Sequence, residues 1–235
     1  MIRKSLIFIL IAAAILETLC AQGTEPGVYQ YVLRGEVFID LEPIYAGHVD
    51  EEYPLDIPRA RERALEEAVL YFAAMLYGWS FKYQVGERAR QIDEVIELEL
   101  LGSIQTNDPA LHITDMEVSD MRLRVWTDYD LTNRLAQRMQ VWRSGTIRNA
   151  QGLGYSPSYL EVYPGWIAVK QMALEDAARI ALRTMLRGSE RNRPREVTGF
   201  LSLASFPRFF IDAGRWAVSA RFRVQVTEII PFAVY

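Results

Sequence analysis

Apolar and polar residues alternate over 29–41, with Val32, Val37 and Ile39 set among polar neighbours, and this period of two predicts a first strand. Asp56 and Pro58 then suit a helix start, and residues 59–77 place Ala64, Leu65, Ala68, Phe72, Met75 and Leu76 on one stripe. Gly78 is the natural stop. Phe81, Tyr83 and Val85 alternate again, and over 95–104 Glu97 and Glu99 alternate with Ile96, Leu98 and Leu100. Residues 120–130 give the cleanest strand of this half. Met121, Leu123, Val125, Thr127 and Tyr129 share one face, while Arg122, Arg124, Trp126 and Asp128 share the other. If these last two strands are antiparallel neighbours, Glu97 and Glu99 face Arg122 and Arg124, each pair contributing roughly 0.2 to 1 kcal/mol.

The second half opens with a strand-like segment over 138–147, and the Gly, Ser, Tyr and Pro-rich residues 149–165 read as a long loop. A second helix is predicted over 166–187, with Ala173, Ala177, Ile180, Ala181, Thr184 and Met185 buried and Gly188 as its stop. A short strand follows over 198–204. The clearest strand of the chain runs over 215–229, where Trp216, Val218, Ala220, Phe222, Val224 and Val226 alternate with Ser219, Arg221, Arg223, Gln225 and Thr227.

The two halves echo each other. Val32-Leu33-Arg34 recurs as Val141-Trp142-Arg143, and Ala64-Leu65-Glu66-Glu67-Ala68 as Ala173-Leu174-Glu175-Asp176-Ala177, both displaced by 109 positions (32 to 141, 64 to 173). Arg122-Leu123-Arg124-Val125 matches Arg221-Phe222-Arg223-Val224 at a displacement of 99 (122 to 221). The expected class is α+β, with two similar strand-helix-strand units (24–134 and 135–235), each an amphipathic helix packed on a mainly antiparallel sheet. Whether the units form one sheet or two is left open by the pattern.

Residues 1–23 read as a secretory signal, with Arg3 and Lys4 before the apolar run 6–16, which is shorter than the roughly 20 residues of a spanning helix. Cleavage after Gly23 fits the small-residue positions better than cleavage after Ala21. Cys20 is either a lipidation site or lost with the leader. It is the single cysteine, so disulfides and thiolate metal sites are excluded from the mature chain. With 26 basic and 30 acidic residues the net charge is −4, which argues against nucleic acid as a partner. The cations are 23 arginines and three lysines. Such usage suits ion-pair ladders on sheet faces, or reflects the coding bias of a GC-rich genome.

Candidate chemistry is sparse. His48, Asp50, Glu51 and Glu52 offer metal-type ligands without a spacing that fixes a geometry, and His112 has no nucleophile context. Asp128 and Asp130 read as the wet side of a strand, and Gly152-Leu153-Gly154 lacks the third glycine of a dinucleotide loop. No catalytic residue, cofactor or metal is expected. Arg187, Arg191, Arg193 and Arg195 form a candidate patch for an anionic partner, set against the solvated cations usual at a helix C-terminus. Tyr155, Tyr159, Tyr163 and Trp166 line the predicted loop as a candidate interface.

The run Ala60-Arg61-Glu62-Arg63-Ala64-Leu65-Glu66-Glu67-Ala68, with the apolar turn to Gly78 and the strand 120–130, resembles the unit in the N-terminal domain of flagellar assembly protein T and related small envelope lipoproteins. The second copy, 172–188 and 215–229, resembles it too. This resemblance implies a non-enzymatic, exported, periplasmic or outer-membrane-associated protein with a structural or assembly role linked to the flagellum or motility. Its partners would be proteins of an envelope assembly, including further copies of itself, with peripheral membrane or cell-wall contact. The alternative is a periplasmic binding module for a small ligand or glycan.

Overall fold

In the computed structural model, residues 31–42, 53–157, 165–189 and 194–231 are described. Among them, two layers of strands carry three helices. The strands are β1 (Tyr31–Asp40), β2 (Trp79–Gln84), β3 (Val95–Leu100), β4 (Leu111–Ser119), β5 (Arg122–Leu131), β6 (Arg148–Tyr155), β7 (Pro194–Leu203), β8 (Arg208–Asp212) and β9 (Arg215–Pro231). The helices are α1 (Ile57–Leu76), α2 (Asn133–Val141) and α3 (Trp166–Ser189). One sheet has the order β1-β5-β4, the other β3-β2-β7-β9-β6 with β8 also on β9, and every pairing is antiparallel. The protein is therefore α+β, and residues 31–235 form one compact unit.

Local chemistry explains the helix borders. Asp56 caps α1 by accepting from the Arg59 backbone N–H at 2.8 Å, and Gly78 ends it at φ +72°. A side chain there would strike Trp142 as well as strain the backbone. α1 lies on β1 and β5, burying Ala64, Ala68 and Phe72 against Val37, Ile39, Leu123 and Val125. α3 lies on β6 and β9, burying Ala173, Ala177 and Ala181 against Val218, Ala220 and Phe222.

Several expectations are corrected. Residues 138–147 are not a strand: α2 runs to Val141, capped by Thr132, so Val141-Trp142-Arg143 is no counterpart of Val32-Leu33-Arg34. The strand that leads into α3, as β1 leads towards α1, is β6, inside the span read as a loop. Its glycines serve close approach. A Cβ at Gly152 or Gly154 would overlap the backbone of Ala177, so two small-residue surfaces meet where flexibility was expected. The duplication thus takes a different form: β1 pairs with β5 around α1, and β6 pairs with β9 around α3.

The expected boundary at 134/135 falls inside α2, and the sheets do not respect it. β2 and β3 cross over to join the strands that follow α3. Glu97 and Glu99 consequently face Lys82 and Ser80 on β2. Arg122 and Arg124 instead pair with Asp40 at 2.5 Å and Glu36 at 3.1 Å, on β1. Thr184, expected in the core, is exposed, and Leu182 and Leu186 take that stripe.

Candidate functional site

Where α1 and α3 meet, the core contains charge. Glu67 and Lys170 are 3% and 4% exposed, and the ammonium meets Glu67 Oε2 at 2.7 Å. The Tyr71 hydroxyl donates to Glu67 Oε1, also at 2.7 Å, so both carboxylate oxygens are engaged. Burial first, then the charge and hydrogen bond of Glu67, push the Tyr71 hydroxyl well above the usual tyrosine range and keep it a donor. Lys170 Nζ also lies 4.8 to 5.7 Å from the ring centres of Trp216, Phe209, Phe38 and Trp166. The guanidinium of Arg63, equally buried, sits 5.4 Å from the Tyr53 ring and 5.3 Å from that of Trp166.

Helix periodicity builds this cluster. Arg63, Glu67 and Tyr71 follow one another at four-residue spacing down the buried stripe of α1, and Lys170 lies one turn before Leu174 on that of α3. A cleft of about 1100 Å³ opens beside it. Glu67, Tyr71, Phe209 and Trp216 line its inner part, and Glu36, Asp40, Asp120, Arg122, Arg124 and Arg208 its polar part. With both oxygens of Glu67 committed, the cluster clamps two helices and polarises the cleft wall.

A second ionic cluster fixes the outer side of α3. Glu94 accepts from Arg179 Nη1 at 2.6 Å, from Arg183 Nε at 2.7 Å and from the Tyr83 hydroxyl. Asp176 accepts from Arg179 Nε at 3.1 Å and from the Tyr155 backbone N–H at 3.0 Å.

The residues singled out from the sequence lie elsewhere. Arg187 lies in the last turn of α3 and Arg195 is the second residue of β7, both exposed, whereas Arg191 and Arg193 lie outside the described residues. Tyr155 closes β6 and donates its hydroxyl to Asp212 at 3.2 Å, pinning two strands together. Tyr159, Tyr163, Cys20, the leader and His48 to Glu52 also lie outside the described residues. Trp166 is half-buried against Arg63 and Lys170. His112 meets Asp130 at 3.2 Å on the open face of the small sheet, and Asp128 pairs with Arg34 at 3.3 Å. Sequence reasoning passed over Arg63, Glu67 and Lys170. The available signal was three charges on stripes that are otherwise alanine and aromatic.

A protein-family model matches residues 23–232. The chain belongs to that family. The matched span takes in every described element from β1 to β9. An uncharacterized protein of Treponema pallidum (strain Nichols) is 25% identical over 224 residues, covering 88% of this chain and 91% of that one. No solved structure matches.

Proposed function

We propose that this is an exported protein of the cell envelope, periplasmic or attached to the outer membrane, that acts without catalysis by helping to build a protein assembly. The observation that carries this reading is the β4–β5 hairpin. Among the described residues β4 is an outer strand of the small sheet whose only strand neighbour is β5, so its other edge carries no paired strand. Near its tip Met116, Val118 and Met121 are 44%, 56% and 52% exposed. The turn itself holds Asp120 and Met121 at φ +51° and +57° without a glycine. Holding a methionine there costs about 1 to 2 kcal/mol relative to glycine, and it presents an apolar side chain to the outside. A free strand edge tipped with flexible thioethers suits a protein partner that adds a strand or packs over the tip.

The cleft beside Lys170 favours the second reading, a binding module for a small ligand or glycan, because aromatic walls and a charged rim are what such ligands use. Photo-crosslinking in intact cells separates the two. A photoreactive residue at position 118 should capture a high-mass protein adduct that the same residue at the exposed position Glu62 does not. If no adduct forms and the purified protein is a monomer carrying a small molecule, the assembly reading is refuted. Motility is the first phenotype to score in a deletion strain, since the resemblance to the flagellar family ties the assembly role to it.

A further inference from the structure

The six-stranded sheet has two unlike faces. α3 covers the face bearing Gly152, Ala220 and Phe222. The opposite face carries Asn149, Gln151, Arg221, Arg223, Gln225 and Ser202, with Ser202 and Asn149 lying across from Arg223 on either side. The Nη1 of Arg223 is closed to solvent and has no hydrogen-bond partner. The Oγ of Ser202, its cross-strand neighbour, is in the same state. Arg143, exposed on the turn after α2, acts on Arg223 with a like charge. Among the described residues no carboxylate forms an ion pair with Arg143, Arg221 or Arg223.

An orphaned buried donor is costly, and one on a cation more so. Here an orphaned guanidinium nitrogen and an orphaned hydroxyl belong to residues directly across from each other in the sheet, Arg143 adds a like charge, and no carboxylate pairs with the guanidinium. A guanidinium nitrogen can only donate and a serine hydroxyl can donate, so a single acceptor bearing negative charge relieves both. The geometry points to an anion site: one oxyanion of the phosphate class, free or on a lipid headgroup, accepts from Arg223 Nη1 and Ser202 Oγ and neutralises Arg143. Guanidinium forks match such oxygens, and a serine hydroxyl complements them. Arg223 as a whole is half-buried, so an anion has access to its guanidinium from solvent. This site is independent of the hairpin and of the cleft beside Lys170.

Thermal unfolding of the full chain tests it, in sodium phosphate and in sodium chloride at matched ionic strength. For a Kd of about 1 mM, phosphate at about 10 mM raises Tm by roughly 3 to 5 °C, saturably. Arg223→Met should abolish that response while melting, in chloride, no lower than the parent, because it removes a buried donor atom that has no partner. Arg143→Ala, on an exposed turn, should weaken the response several-fold without altering the fold. Cosedimentation with phosphatidylglycerol vesicles, against phosphatidylcholine vesicles, decides the source: binding lost in both variants assigns the headgroup, and a phosphate response without vesicle binding assigns the free ion. The proposal is overturned if the parent neither melts differently in phosphate and chloride nor binds the anionic vesicles. It is equally overturned if Arg223→Met keeps the response.

Discussion

Replacing Lys170 by methionine removes the cation but keeps the length and most of the volume of the side chain. Glu67 is then a carboxylate 3% exposed, held by the Tyr71 hydroxyl alone on Oε1. Breaking a buried pair from one side costs about 3 to 5 kcal/mol, because an uncompensated charge remains. That is a large share of a typical domain stability of about 5 to 15 kcal/mol. Removing both charges, with Lys170→Met and Glu67→Leu together, leaves no stranded ion. It strips Tyr71 of its acceptor at a cost of about 1 kcal/mol, so the double variant should lie within about 2 kcal/mol of the parent. Urea unfolding followed by tryptophan fluorescence reports on this, since Trp166 and Trp216 both flank the ammonium. The four variants close a double-mutant cycle. A loss below about 1 kcal/mol for Lys170→Met would refute the reasoning, that being the worth of an exposed pair. A double variant as unstable as the sum of the two single ones would refute it too.

Alkaline pH should destabilise the protein in a defined window. Burial first, then the hydrogen bond to Asp108, push the Tyr129 hydroxyl up to about 12, and Tyr71 is raised by the causes given above. Both groups hold their proton in the folded chain after the unfolded chain has lost it near pH 10. Their contribution is therefore complete below pH 10 and is lost as pH rises towards 12, with a slope of at most about 1.4 kcal/mol per pH unit for each. Urea midpoints measured from pH 9 to 12 should fall, and less steeply in Tyr129→Phe; an unchanged slope in that variant would contradict the assignment. Gly152→Ala should cost about 1 to 3 kcal/mol, because α3 must lift off β6 to admit the methyl group, and a variant as stable as the parent in thermal unfolding would show that the close approach is not tight.

How much of this was legible depended on whether an element had one wet face and one dry one. α1, α3, β5 and β9 do, and their apolar stripes place them to within a few residues. β4 is open to solvent along most of its length on both faces, so no alternation marks it as a strand. β6 is hidden for the opposite reason: its glycines, which locally signal a loop, are selected by a helix lying on them. The partners of Arg122 and Arg124 also depend on a distant strand, because which carboxylates lie opposite is decided when β1 docks beside β5. The charged cluster was visible only as an interruption. Arg63, Glu67 and Lys170 stand where the helical period demands apolar residues, and a stripe that carries charge implies a partner charge on whatever covers it.

The crossing of β2 and β3 into the large sheet bears on the order in which the chain can fold. Trp79 pairs with Leu201, and the intervening sequence includes β4, β5 and two helices. β2 has an early neighbour in β3, but its other edge stays open until β7 has been made and delivered. Closing so long a loop is slow, since its entropy is lost before the pairing repays it. A chain delivered from its N-terminus would thus hold an incomplete large sheet until β7 and β9, in its last fifth, had followed.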